Sequence, residues 1–231
     1  MSNNISWDLP TKSRWLATMQ EHQVADRFIQ GVWLDDKDDQ GLFRGCFFGC
    51  AMQSEDHPLE EAIKDMHLPP WLIYLAEKIF EGLPKTEAKL FPVQLLKAVP
   101  VDTDLSGVEC KQHISRLSRL LDLPDLPDNV ISAISGVQNC WTQRLNGVPE
   151  SGINWSASSR AAVRATWSAE KATATAASAS ASESAEASVS ASASAEASAE
   201  AIAASVRAAR AALWETERDV LIQWLNEVSG E

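Results

Sequence analysis

The stretch "SAEASVSASASAEASAEA", residues 184–201, decides the fold class, because two local rules read it in opposite ways. Small apolar residues alternate strictly from Ala185 to Ala203, which is the period of a β-strand. Ala is the strongest helix former, Glu is a good one, both are depleted in strands, and strands usually run only about 3–10 residues. Propensity and length therefore predict helix. Neither Gly nor Pro interrupts the chain between Gly152 and Gly230. A straight helix over that span would be about 115 Å long, against a radius of gyration of roughly 17 Å for a compact chain of this size. The tail is thus expected to fold back as a hairpin or bundle of packed Ala-rich helices. Ser180 and Glu183 have the spacing of a capping box that would start a new helix, and a second break is placed near Thr216 and Asp219. Ala buries little area, and burial contributes about 25 cal/mol per Å2. Val163 and Trp167 at one end, and Ile202, Val206, Leu213, Val220 and Trp224 at the other, supply the apolar stripes such helices need.

Upstream, Gly and Pro punctuate the sequence into short helices. "TKSRWLATMQEHQVADRFIQG", residues 11–31, sets Trp15, Leu16, Met19, Val24, Phe28 and Ile29 along one side and is expected to stop at Gly31. "PPWLIYLAEKIFEGLP", residues 69–84, opens with prolines and closes on Gly82 and Pro84. Further helices fit 85–98, 105–122 and 127–145. Only "GVWLDD" and "GLFRGCFFGC" resemble strands, and they can pair across the turn "DDKDDQG". The fold class is mainly α: a multi-helix domain over 1–152 with at most a small β-hairpin near 31–52, and an Ala/Ser-rich helical region over 153–231.

Charge narrows the partners. Thirty-two acids against 20 bases give a net charge of −12. The densest patch runs from 35 to 61, where Asp35, Asp36, Asp38, Asp39, Glu55, Asp56, Glu60 and Glu61 meet only Lys37 and Arg44. Such a surface repels phosphates, which argues against direct nucleic-acid binding and favours a protein partner with a basic surface. An acidic balance also serves solubility alone. No segment approaches the roughly 18 uninterrupted apolar residues of a membrane helix. The start, "MSNNISWDLPTKSRW", lacks a basic segment followed by an apolar run, so a cytoplasmic chain with reduced thiols is expected.

"GCFFGCAMQSEDH", residues 45–57, raises the question of a metal or catalytic site. Cys46 and Cys50, four apart, share one face of a helix or strand, so His57 and His22 would complete a Cys2His2 zinc set. Metal thiols usually come as C-x2-C with a matching second pair, however, and nothing here repeats that spacing. Free Cys is among the most buried residue types, and these two sit among aromatics, so a packed turn without a cofactor is the primary reading. Nucleophilic use would need a base such as His22 or His57 and a lowered thiol pKa, whereas nearby carboxylates raise it. His22 and Asp26 read as a simple i, i+4 pair, and His67 and His113 as structural. No catalytic residues are assigned: G-x-S-x-G, P-loop, G-x-G-x-x-G and H-E-x-x-H patterns do not occur.

At "HQVADRFIQGVW", "GLFRGCFFGC" and "KIFEGLP" the chain resembles hypothetical proteins of bacterial and phage genomes, in which such a region precedes an Ala- and Ser-rich helical tail. That family carries no assigned activity, so the resemblance implies no ligand residues. It implies a bacterial or phage cytoplasm. Three function classes follow. The first is an acidic, non-enzymatic binding protein that occupies a basic protein surface, as an inhibitor or nucleic-acid mimic with an anti-defence role would. The second is an intracellular metalloprotein or enzyme using His22, Cys46, Cys50 and His57. The third is a scaffold that self-associates through its C-terminal helices.

Overall fold

A computed structural model describes residues 7–53, 59–122, 126–158, 160 and 192–230, with the backbone alone at 59–62 and 192–210. The protein is mostly helical, and a two-stranded antiparallel hairpin is the sheet found among these residues. The helices are α1 (Leu9–Val24), α2 (Phe47–Met52), α3 (Leu59–Met66), α4 (Pro70–Gly82), α5 (Lys85–Ala98), α6 (Ser106–Leu121), α7 (Asp128–Leu145) and α8 (Ser192–Ser229); the strands are β1 (Leu34–Lys37) and β2 (Phe43–Gly45). The chain divides into two compact units, Met1–Glu109 with Ala208–Glu231, and Cys110–Arg207. None of the described helices is long and apolar enough to cross a membrane.

The first unit is built around α4 and α5. Leu72, Ile73, Leu75, Ala76, Ile79 and Phe80 of α4 are buried, a broad apolar stripe that the helical period predicts. They pack with Phe91, Val93, Leu95 and Leu96 of α5 and Trp15 and Met19 of α1. Helix α1 starts where Asp8 Oδ1 accepts the Thr11 N–H at 2.8 Å. It ends at Val24, seven residues before the expected glycine stop. The reason is Asp26, whose φ of 54° lies in the left-handed region that Asp tolerates. The chain then runs extended, and Ile29 N donates to Gly45 O at 2.7 Å. Helix α5 runs on through Pro92. Beside that proline, Gln23 Nε2 donates to the Lys89 carbonyl at 3.1 Å.

Strands β1 and β2 pair with Leu34 opposite Gly45 and Lys37 opposite Phe43. The strand-like run "GLFRGCFFGC" breaks at Cys46, which caps α2 with extended backbone. Its Sγ accepts the Gly49 N–H at 3.4 Å. Gly49 is required there, because a Cβ would overlap the Trp33 carbonyl oxygen. Phe47 and Phe48 stack at 4.2 Å in the core.

Helix α8 corrects the expected break near Thr216 and Asp219. It runs unbroken through both, with Thr216 Oγ1 donating to the Ala212 carbonyl at 2.9 Å, a bond that needs no interruption of the helix. The alternating Ala residues at 193–203 are helical. From Ala208 onward α8 belongs to the first unit: Leu221 and Leu225 are fully buried in its core, and Arg218 pairs with Glu87 at 2.5 Å. Ser180 and Glu183 lie outside the described residues.

In the second unit, Gln138 Nε2 of α7 donates to Ser118 Oγ of α6 at 2.7 Å. His113 stacks on Trp141 at 4.0 Å, and Trp155 meets Trp141 edge-on. Arg144 and the Trp155 indole N–H both bond Glu150, which ties the segment after α7 to that helix.

Candidate functional site

The Asp-rich turn is anchored from below. Arg27 is fully buried, and its Nε donates to Asp38 Oδ2 at 2.6 Å while its Nη2 donates to Gln40 Oε1. Asp38 Oδ1 accepts the N–H groups of Gln40 and Leu42 at 2.9 and 3.1 Å. The Arg27 guanidinium holds the Asp38 carboxyl below the usual range, and the backbone bonds of the turn add to that effect. Asp38 is thus committed to the fold. Asp35, Asp36 and Asp39 are exposed on the same hairpin. Lys37 Nζ lies 4.5 Å from the centre of the Phe43 ring. Glu55 and Asp56 lie outside the described residues, and Glu60 and Glu61 are in α3.

The four cysteines are buried, and none of them is in a disulfide. Cys50 Sγ donates to the carbonyls of Arg27 and Gly45 at 3.5 Å each, and burial pushes its thiol up to about 12. Cys46 points elsewhere. Its Sγ lies with the carboxylates of Glu77 and Glu81, one turn apart on α4, all within 4.8 Å of one another. Among the described residues His22 and Cys50 do not join this group, and His57 lies outside them. His22 is buried beside Phe28, and burial, then the Arg27 charge, lowers its pKa.

Glu77 is the unusual member. Its Oε2 is buried with no hydrogen-bond partner among the described residues, and burial raises its carboxyl to about 7, with the Glu81 charge in support and the Cys46 thiol pulling it partly back. Glu81 is exposed and accepts the Gly31 N–H at 2.7 Å. Burial drives the Cys46 thiol far above its ordinary value, and the Glu77 charge adds to that effect. Sequence reading missed both carboxylates because they sit in a helix that reads as core. The available signal was an i, i+4 acid pair inside the apolar run "YLAEKIFEG".

On the same unit a cleft of about 220 Å3 has Phe28 and Phe80 in its wall and Arg44, Lys85 and Lys89 around it, with Lys89 held by Asp26 at 2.5 Å. No protein-family model matches the chain, and neither a curated protein nor a solved structure does.

Proposed function

We propose that the chain is an acidic, non-enzymatic binding protein that sets the hairpin carboxylates Asp35, Asp36 and Asp39 on a basic surface of a protein partner, as an inhibitor or nucleic-acid mimic does. One observation carries this reading. Asp38 is locked to the buried Arg27 and to the backbone of its own turn, so the three exposed carboxylates around it stand on a preorganised support. Preorganisation lowers the ordering cost of binding, and complementary charge raises the association rate and selects the partner. The net charge of −12 adds long-range attraction of the same sign.

The test is capture from bacterial lysate by the immobilised chain at low and high salt, beside a variant carrying Asp35→Lys, Asp36→Lys and Asp39→Lys. A partner retained at low salt, released by salt and by heparin, and lost with the variant supports the reading. Capture indifferent to salt and to the three substitutions refutes it, as does the absence of any retained protein.

A further inference from the structure

We propose that Cys46 Sγ and the carboxylates of Glu77 and Glu81 form a three-ligand site for a zinc-class divalent cation, with a fourth position left to solvent. This site is separate from the hairpin surface and independent of its reading. Three observations meet here. The ligand atoms lie within 4.8 Å of one another. Bonds of about 2.0–2.3 Å to a common centre would set them roughly 3.3–3.8 Å apart, so a bound ion draws the three together by at most about 1.5 Å. The second observation is the buried Glu77 Oε2, which has no hydrogen-bond partner among the described residues. A carboxylate oxygen out of water without a donor or counter-charge is costly, and a cation bound between Glu77 and Cys46 would offset that cost.

The third is the surrounding shell. Gly49 N–H points to Cys46 Sγ and Gly31 N–H to Glu81 Oε2, so two of the three ligands are already oriented by backbone donors, as outer-shell groups do in metal sites. The donor set selects the ion. A thiolate disfavours Mg2+ and Ca2+, two carboxylates disfavour Cu+, and the mixture suits the borderline Zn2+. Glu81 at the surface gives the ion an entry path. Binding releases the thiol proton, and the Glu77 proton where it is present, to solvent, and forms the S–metal and O–metal bonds without any redox change.

Untagged full-length protein, stripped with a chelator, is titrated with Co2+ and with Zn2+. The expected result is one equivalent bound per chain and a sulfur-to-cobalt charge-transfer band. Cys46→Ser abolishes that band, whereas Cys50→Ala leaves it. Glu81→Gln, at an exposed position that does not threaten folding, weakens Zn2+ at least about tenfold, in line with the sensitivity of metal sites to loss of supporting groups. Circular dichroism confirms that each variant is folded. The assignment is overturned if folded wild-type protein shows no thiolate band at stoichiometric metal, if the band survives Cys46→Ser or is lost with Cys50→Ala, or if Glu81→Gln binds Zn2+ as tightly as wild type.

Discussion

Arg27 and Asp38 join the end of the first helix to the tip of the hairpin: a guanidinium with no solvent exposure donates at 2.6 Å to a carboxylate at the surface. The pair is asymmetric. Loss of the carboxylate leaves the buried cation with only the exposed Glu21 carboxylate, at 3.6 Å from its Nη1, whereas loss of Asp35, Asp36 or Asp39 leaves that cation's partners unchanged. Asp38→Ala is therefore expected to lower the melting temperature clearly and to loosen the hairpin. Asp35→Ala, Asp36→Ala and Asp39→Ala should each stay within about 0.5 kcal/mol of wild type, as exposed substitutions usually do. Thermal unfolding of the four single variants checks this, and equal effects at all four positions would remove Asp38 from the fold and return it to the free surface.

A second expectation concerns Gly49. The Trp33 carbonyl occupies the place of its absent side chain, and backbone cannot step aside as a flexible side chain can. Gly49→Ala should thus destabilise by at least the 1–3 kcal/mol or so typical of overpacking, although Ala is the better helix former by about 1 kcal/mol. Gly107, with nothing near its would-be Cβ, is the control: Gly107→Ala in α6 should stabilise slightly. Denaturant midpoints of the two variants should move in opposite directions.

The docking of α8 on the first unit gives a third. Leu221 is fully buried, while Leu213 is 45% exposed. Leu221→Ala should cost about 2–5 kcal/mol and Leu213→Ala little. Gly82→Ala should act with Leu221→Ala, because its new methyl would overlap the Trp214 ring. Faster proteolysis within 208–230 in Leu221→Ala and Gly82→Ala, but not in Leu213→Ala, is the expected pattern.

These elements differ in how readable they were. Helices α4, α5, α6 and α7 were legible because Pro, Gly and Asp mark their ends and their apolar spacing is helical. The end of α1 was hidden: Asp26 stops the helix through a backbone angle, and Arg27, which looks like a surface residue, is buried by partners 11 and 13 residues away. Helix α2 was hidden by its aromatics, which have strand propensity, and by the tertiary contact that makes Gly49 necessary. The Cys46 half of the candidate metal group stood out in the sequence. The Glu77 and Glu81 half did not, since only the packing of α4 brings them to the thiol.

The last expectation is the pH response of the metal-free protein. Glu77 ionises near its ordinary value of 4.5 when unfolded and at about 7 when folded, so the fold retains a proton the unfolded chain has lost. Stability from this group is full below about 4.5 and falls as pH rises through about 7, by about 3 kcal/mol in all. Glu81, raised mainly by burial, acts in the same sense. His22 and His113 act in the opposite sense. Burial and nearby Arg residues lower both, so their contribution is full above about 6.5 and is lost on acidification. Asp8 and Asp38 are lowered by hydrogen bonds and act only in stronger acid. Glu77→Gln keeps the shape and removes the charge. In chelator it should exceed wild-type stability at about pH 8 and match it near about pH 4, whereas His22→Gln should lessen the loss on acidification below about pH 6.5. Urea unfolding at the two pH values measures this directly. A Glu77→Gln difference that is the same at both would mean that Glu77 titrates as an ordinary solvated carboxylate, contrary to its burial against Cys46.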